Sequence, residues 1–180
     1  MQTESSPHLE SITPPNTMIN EEFTIDIIAE IEKGMAAIHQ DSSSISNNDL
    51  TKYMVNLPVG KAGRQKWDEV WTLTSTEPNH RFIILYQENE NENDRYTVEF
   101  LDTLFSKTIC PIESPQFPLK VTSPHHLIFC KGKPMRHDFR SDGQLTYFYP
   151  IGTDRVVKYI FNNDQELEEI VAGARETDVK

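Results

Sequence analysis

The sequence predicts an α+β fold, in which a mainly antiparallel sheet of about six strands is covered by an N-terminal helix and a C-terminal helix. Short apolar segments alternate with turn residues from 125 to 161, a pattern typical of an antiparallel β-meander. Apolar residues at helical spacing occur before and after this region. A sheet with one apolar face needs such helices as a cover, so these observations agree on one architecture.

The first hairpin of the meander is predicted from its turn residues. A turn at 131–134, with the sequence Lys-Gly-Lys-Pro, would pair Cys130 with Met135. The same register would set Ile128 opposite His137. A slip of one residue would turn every side chain to the opposite face of the sheet. The correct register is therefore the one that places the apolar residues on a single face.

The next two turns are predicted from their glycines. A three-residue loop at 141–143 would place Phe139 opposite Leu145, with Gly143 in the left-handed conformation that glycine adopts at little steric cost. A similar loop at 152–154 would follow. One face of the predicted meander then collects Ile128, Cys130, Met135, His137, Phe139, Leu145, Tyr147, Tyr149, Val157, Tyr159 and Phe161.

Length and composition are those of a soluble globular protein. The chain has 180 residues, of which 37% are hydrophobic and 25% charged, which suffices for a sizeable core. A net charge of −11 disfavours nucleic acids and anionic membrane surfaces as partners, because both bind clusters of Lys and Arg. In a domain of this size such acidity most often serves solubility alone, and a basic protein partner is the more specific hypothesis.

The sequence predicts a cytoplasmic protein without a membrane-inserted segment. No apolar run is long enough to span a bilayer, and the first residues lack the pattern of a secretory signal. Cys110 and Cys130 are too few for a disulfide scaffold, so a reducing compartment is expected. Export by a machine that needs no signal peptide would leave the same pattern.

The chain is predicted as a disordered tail at 1–19 followed by a single domain at 20–180. The tail is rich in Ser, Pro, Thr and Glu and has too few large apolar groups to offset the cost of ordering. Asn20 is the predicted N-cap of the first helix. Its apolar stripe, which we expect to cover the meander, is formed by Phe23, Ile27, Ile31, Met35 and Ile38.

A second, short helix is predicted after the serines at 42–44. Ser46 and Asp49 have the spacing of a capping box, and Pro58 would end the helix. Its apolar residues would be Leu50, Tyr53 and Met54.

Three strands are predicted between this helix and the meander. Trp67, Trp71 and Leu73 have even spacing, which favours a strand, although Trp67 and Trp71 would also share one face of a helix. The apolar run 82–86 indicates a central strand covered on both faces. After an acidic turn, the segment 96–100 alternates as a returning strand.

The last third of the chain is predicted to begin at a seam and to end in a helix. Prolines at 111–118 impose an extended connection, which we take as the seam between subdomains. Asn163 and Glu166 have capping-box spacing, and the stripe of the C-terminal helix would be Leu167, Ile170, Val171 and Ala174.

Two resemblances to secretion-related proteins follow, one from the C-terminal segment and one from the order of the predicted elements. The cluster Glu166, Glu168 and Glu169 resembles the glutamate-rich C-terminal signals of bacterial type IVB secretion effectors. The predicted order of helix, strands and helix resembles that of type III secretion chaperones. The first resemblance implies a secreted protein, and the second implies a chaperone for one.

Residues with catalytic or metal-binding chemistry occur without the spacing that such sites need. The acidic turn at 88–94 lacks the EF-hand pattern, and the glycines at 60–66 lack the P-loop pattern. His126, Cys130 and His137 would share one face of the meander, but His126 and Cys130 would be too far apart to bind the same zinc. We therefore predict no catalytic residue, no cofactor and no metal site.

Trp67 and Trp71 are the candidate partner-binding residues. They are the only two tryptophans, and indole rings are over-represented among residues that dominate binding energy at interfaces. They flank Asp68 and Glu69, and they follow the basic run at 60–66. The alternative is that both rings pack in the core.

The leading functional hypothesis is a non-catalytic, acidic protein-interaction module. An adaptor, a secretion chaperone, or an inhibitor or immunity protein of a basic partner would each fit. The alternative is a small enzyme or ligand-binding domain, or a bacterial secreted effector, with a pocket between the sheet and the first helix. Its predicted lining is His126, His137, Tyr147 and Tyr149.

Overall fold

The structure is a computed structural model that describes residues 11–12, 16–39, 44–112 and 116–175. It divides into two compact units, Pro15–Thr108 and Met1–Pro14 together with Ile109–Lys180, which we call the first and the second unit. The elements in chain order are β1 (Ser11–Ile12), α1 (Glu21–His39), β2 (Leu50–Met54), β3 (Lys66–Leu73), β4 (His80–Gln87), β5 (Arg95–Phe100), α2 (Leu101–Leu104), α3 (Pro124–Lys131), β6 (Arg136–Arg140), β7 (Leu145–Ile151), β8 (Arg155–Phe161) and β9 (Leu167–Arg175).

The fold is α+β, with two antiparallel sheets where one sheet of about six strands was predicted. The first unit holds the order β2-β3-β4-β5. The second unit holds β6-β7-β8-β9, with the two-residue strand β1 added beside β6. The longer segment of the second unit begins at Ile109, next to the proline-rich segment that is predicted as a seam.

Helix α1 begins and packs as its sequence predicts, but it covers a different sheet from the one expected. The amide of Phe23 donates to Asn20 Oδ1 at 3.0 Å, which confirms Asn20 as the N-cap. Ile27, Ile31 and Met35 are buried and form one core with the β2–β5 sheet. The prediction that this stripe covers the meander is therefore wrong, because β3 and β4 present their own apolar face to α1, with Trp71, Phe82 and Ile84 in the same core.

Strand β2 replaces the short helix that was predicted after Ser46. A single 3₁₀ turn, Asn47–Asp49, does form, and the amide of Ser46 donates to Asp49 Oδ2 at 2.8 Å. The chain then extends, and Leu50 pairs with Leu73 of β3. Pairing with β3 overrides the local helical signal, since an extended chain can bury Tyr53 and Met54 on opposite faces.

The prediction of a central strand at 82–86 is confirmed. β4 lies between β3 and β5, and Phe82 and Ile84 are buried on the face toward α1. Ile83 points to the other face and is 1% exposed, so the strand is covered on both faces.

The register predicted for the meander is confirmed from β6 onward. Phe139 lies opposite Leu145, and His137 lies opposite Tyr147. The loop 141–143 has Gly143 at φ 89°, as the three-residue turn requires. Most of the predicted apolar face is buried, although Met135 lies before β6 and is 48% exposed.

The first predicted hairpin of the meander is wrong, because the segment before it is helix α3. The amide of His126 donates to Ser123 Oγ at 3.1 Å, and Pro124 occupies the first turn. Ser followed by Pro is a helix-start pattern, since proline has the fixed φ that this position needs and lacks only a donor that would be unpaired there. Cys130 and Ile128 are therefore helical and do not pair with Met135 and His137.

The predicted C-terminal helix is also wrong, because residues 167–175 form strand β9 against β8. The apolar spacing of three and four residues comes from irregular pairing. Phe161 pairs with Leu167 while Ile160 pairs with Glu169, so the strand carries an extra residue at Glu168. A bulge of this kind brings residues three apart onto one face, which in sequence looks like a helical stripe.

The predicted disordered tail is described only in part. Residues 1–10 and 13–15 lie outside the described residues. Ser11 and Ile12 pair with Arg140 and Phe139 as strand β1. Ile19 is buried in the core of the first unit.

Cys110 and Cys130 form a disulfide in the second unit. Their Cα atoms are 5.4 Å apart, within the usual span of such a bond. Disulfides persist in oxidising compartments and are rare in the cytosol. The cytoplasmic location inferred from the low number of cysteines therefore stays a prediction, which this bond does not favour.

Differential alkylation tests the disulfide. We expect the full chain, purified without reductant and then denatured, to take up no iodoacetamide, and to take up two equivalents after reduction, because both thiols are joined. Intact-mass spectrometry measures the uptake. The Cys130→Ser variant is the control and should take up one equivalent without reduction. Two adducts on the unreduced chain would show that the bond is absent.

Gly34 of α1 permits close contact with β5, and its substitution tests that contact. A Cβ at this position would overlap the ring of Phe100, so the ring must move. We expect Gly34→Ala to lower the free energy of unfolding by about 1 kcal/mol, because overpacking outweighs the gain in helix propensity. Urea denaturation measures this.

The matched background for Gly34→Ala is Phe100→Leu. With the ring removed, the same substitution should raise the free energy of unfolding by about 1 kcal/mol through helix propensity alone. The same sign in both backgrounds would contradict the contact.

Candidate functional site

A buried carboxylate lies at the centre of the first unit. Glu69 is 0% exposed and stands on β3 between Trp67 and Trp71. Residues two apart on a strand point to the same face, so the carboxylate and both indoles face α1. An isolated buried charge costs several kcal/mol, so the surroundings of Glu69 must compensate it.

Four donors surround the carboxylate of Glu69. The indole Nε1 of Trp67 donates to Oε1 at 3.0 Å, and that of Trp71 donates to Oε2 at 2.8 Å. The segment before α1 supplies the other two. The Thr17 hydroxyl donates to Oε2 at 2.7 Å, and the Met18 amide donates to Oε1 at 2.9 Å. A carboxylate has lone pairs for all four, so both oxygens are satisfied.

A cation lies beside this cluster. Lys52 of β2 is directly opposite Trp71, and its Nζ lies 4.0 Å from the centroid of the indole ring. Burial lowers the pKa of Lys52, and the nearby charge of Glu69 opposes that shift. The indole of Trp71 thus contacts the carboxylate through its N–H and the ammonium group through its face.

The structure places both candidate partner-binding residues in the core. Trp67 is 2% exposed and Trp71 is 0% exposed. In this structure neither ring presents area to a partner, and a role in binding stays a prediction. The sequence analysis does not predict that Glu69 is a buried hydrogen-bond acceptor. Its position two residues from each tryptophan on a predicted strand places all three side chains on one face, which indicates that they could interact.

A solvent-open groove runs between α1 and β5 in the first unit. Its volume is about 660 Å³, and it is lined by Glu30, Lys33, Gly34, Tyr96, Thr97, Val98 and Phe100. Two ring contacts give its direction. Phe23 lies 6.3 Å from Tyr96, and His39 lies 6.3 Å from Phe100, between ring centroids. The helix and the strand therefore run in the same direction, and the groove follows β5 along its length.

One wall of the groove is an open sheet edge. In an antiparallel sheet, the N–H and C=O of each residue point to one neighbouring strand, and the direction alternates along the chain. The amide of Val55 donates to Asp68 O at 2.8 Å, so Asp68 of β3 points toward β2. Its neighbour Glu69 then points toward Ile84 of β4.

The same alternation, carried one strand further, identifies the free groups. Since Ile84 points toward β3, Leu85 points toward β5 and pairs with Thr97. The N–H and C=O of Tyr96 and Val98 must then point away from the sheet. Within the described part of the chain, these outward groups have no strand partner, because β5 is the last strand in the order.

The rim of the groove on the helix side is acidic. Lys33 Nζ forms an ion pair with Glu30 Oε1 at 2.8 Å. Asp26, one turn before Glu30, is exposed and forms no ion pair with any described residue. Phe23, Asp26 and Glu30 follow one another at three and four residues, so they share one face of α1, on which Phe23 contacts Tyr96 and Glu30 lines the groove. Burial raises the pKa of the Tyr96 hydroxyl, and the carboxylates of Asp26 and Glu30 raise it further.

His126, Cys130 and His137 do not come together as a metal site. Cys130 is joined to Cys110, and His126 is on α3 while His137 is on β6. Among the described residues, no group of three or more His, Cys, Asp and Glu side chains is arranged to hold a metal ion. In the acidic turn, Asp94 accepts hydrogen bonds from the Tyr86 hydroxyl at 2.7 Å and from the Asn89 amide at 2.8 Å.

The Glu69 cluster makes a strong prediction for stability. Glu69→Gln replaces one acceptor oxygen with an NH₂ group that faces buried donors. We expect a loss of about 2–3 kcal/mol in the free energy of unfolding, because unpaired buried donors carry that cost. Urea denaturation followed by tryptophan fluorescence measures it.

Two further variants complete the Glu69 experiment. Glu99→Gln makes the same chemical change at an exposed position of β5 and should stay within about 0.5 kcal/mol of the parent chain. Thr17→Val removes one of the four donors and should cost about 1 kcal/mol. Equal effects of Glu69→Gln and Glu99→Gln would show that the cluster adds nothing to stability.

The chain was compared with known proteins, and no protein-family model, curated protein or solved structure matches it. In the described residues, none of the helices is both long enough and apolar enough to cross a membrane.

Proposed function

We propose that this protein is a non-catalytic, acidic protein-interaction module whose partner is basic. The groove between α1 and β5 carries the proposal. It joins half-buried rings on one wall with exposed carboxylates on its rim, the mixture of apolar area and charge that is typical of protein interfaces.

The charge of the whole chain supports the same partner. A net charge of −11 attracts a basic protein over long range and speeds their encounter. Asp26 adds a local carboxylate on the rim that no described side chain neutralises. An adaptor, a chaperone for a secreted protein, and an inhibitor or immunity protein all use an interface of this kind.

The disulfide bears on where the module works. A bond between Cys110 and Cys130 is stable in an oxidising compartment. It supports action outside the reducing cytosol, and export without a signal peptide is one route to such a place.

The alternative of a small enzyme, ligand-binding domain or secreted effector had a predicted pocket. Of its predicted lining, Tyr147 and Tyr149 are 0% and 4% exposed. These residues and His137 lie on β6 and β7, whereas α1 packs on the β2–β5 sheet. The groove beside α1 is therefore lined by other residues, and we centre the proposal on it.

An affinity capture with the full chain tests the proposed function. At about 50 mM salt we expect one basic protein to be recovered in stoichiometric amount, and we expect about 0.5 M salt to release most of it, since screening weakens attraction between exposed charges. Quantitative mass spectrometry measures the recovery. An unrelated bait of the same net charge is the control, and capture of the same protein by both baits would contradict a specific module.

A further inference from the structure

We infer that the groove between α1 and β5 binds an extended, basic peptide segment, which adds to the sheet as a further strand at the outer edge of β5. The inference rests on the proposed protein-binding function and specifies its mode and the chemistry of its partner. Strand addition takes its affinity from backbone hydrogen bonds and its specificity from alternate side chains.

The backbone of β5 is suited to accept a strand. Tyr96 and Val98 direct their N–H and C=O groups outward, and their pairing partners on β4 follow in regular register without a bulge. Natural sheets protect their edges with bulges, prolines, lysines or very short strands. The segment Arg95–Phe100 has no bulge, proline or lysine, whereas β9 has two register shifts and β1 has two residues. Its two charged residues, Arg95 and Glu99, alternate with Tyr96 and Val98 and so lie on the face of β5 away from α1.

The groove is suited to the side chains of such a strand. Helix α1 runs in the same direction as β5, so a docked strand would lie along the groove over its whole length. Alternate side chains of the peptide would point toward α1, next to Tyr96 and Val98, which are only half buried. Apolar side chains at these positions would complete the cover of the sheet.

The rim selects the charge of the peptide. A peptide side chain that passes along α1 meets the carboxylate of Asp26 and then the ion pair of Glu30 with Lys33. A Lys or Arg at that position would supply the cation that Asp26 lacks among the described residues. The matching sequence alternates apolar residues and carries at least one basic residue on the same face.

A second copy of this chain fits the edge less well. Each copy carries a net charge of −11, and two acidic rims would face each other across a β5–β5 pair. Like charges at an interface cost free energy and act against pairing. We therefore assign the edge to a basic peptide of another protein.

The experiment uses a random dodecapeptide phage library selected on the full, immobilised chain at about 50 mM salt. We expect the recovered peptides to alternate apolar residues and to contain Lys or Arg. One recovered peptide, made synthetically, then serves as the probe, and fluorescence polarisation gives its Kd. Recovery of peptides without alternation or of acidic peptides would overturn the inference.

Two pairs of variants locate the peptide. Val98→Pro removes an outward N–H, whereas Val98→Ala trims the same side chain and keeps that donor. We expect Val98→Pro to raise the Kd of the probe about tenfold more than Val98→Ala does, because a lost backbone bond and a strand-breaking ring act together. Asp26→Asn should raise the Kd about threefold and reduce its salt dependence, and Glu99→Gln, on the opposite face of β5, should change neither.

A second test changes the probe peptide and leaves the protein unchanged, so it does not require any variant to fold. N-methylation removes one donor at a time from the probe, and a docked strand directs every second N–H toward β5. We expect N-methylation at alternate positions to abolish binding and at the intervening positions to leave it within about threefold. Uniform tolerance of N-methylation would overturn strand addition even if Val98→Pro failed to fold.

The results also separate this inference from the proposed function. If a basic protein is captured by the full chain and its binding is unchanged in Val98→Pro and Asp26→Asn, the module is correct and the β5 edge is not its site. If size-exclusion chromatography with light scattering shows a dimer that Val98→Pro dissociates, the edge binds a second copy and the inference is wrong. If neither a protein nor a peptide is recovered, both proposals fail.

Discussion

The buried carboxylate of Glu69 is the interaction on which the first unit depends. Removing a charge from water costs several kcal/mol unless hydrogen bonds replace the lost hydration. Two of its donors, Trp67 and Trp71, belong to the same strand. The other two, Thr17 and Met18, belong to the segment that leads into α1. A packing that moved this segment away would leave the carboxylate with only the indoles, so Glu69 fixes where α1 begins over the sheet.

The position of α1 in turn creates the groove. Held at its start by the contacts of Glu69, the helix runs beside β5 and meets Phe100 at Gly34. The near approach at this glycine brings the helix close to the last strand without covering its outer edge. The buried contacts of Glu69 thereby position the exposed groove to which we assign the function. A change in these contacts should therefore also change the groove.

The sequence predicted most where local and long-range signals agree. Asn20 as N-cap and the apolar spacing of α1 both favour helix, and the turn at 141–143 fits the pairing of Phe139 with Leu145. It failed where a local signal competed with a tertiary one. The capping-box pattern at Ser46 yields a single 3₁₀ turn, because pairing with β3 extends the chain immediately afterwards. In β9 the extra residue at Glu168 imitates helical spacing, and periodicity alone does not separate a bulged strand from a helix.

The candidate site was less accessible to sequence reasoning than the fold, for a physical reason. An open edge is a property of strand order, and strand order is decided by contacts between distant segments such as Val55 with Asp68. Trp67 and Trp71 are predicted as partner-binding residues because indoles are frequent at interfaces. In the structure their N–H groups donate to the buried carboxylate of Glu69.

The acidity of the chain and the open edge of β5 explain each other. A regular, unprotected edge strand invites pairing with any extended chain, including another copy of itself. The net charge of −11 and the carboxylate of Asp26, which has no ion-pair partner among the described residues, act against that pairing, since a second copy brings the same charges to the same place. The same acidic charges that repel a second copy attract a basic segment. Charge can thus supply the protection that bulges and prolines provide elsewhere, while it leaves the edge open to a partner of opposite sign.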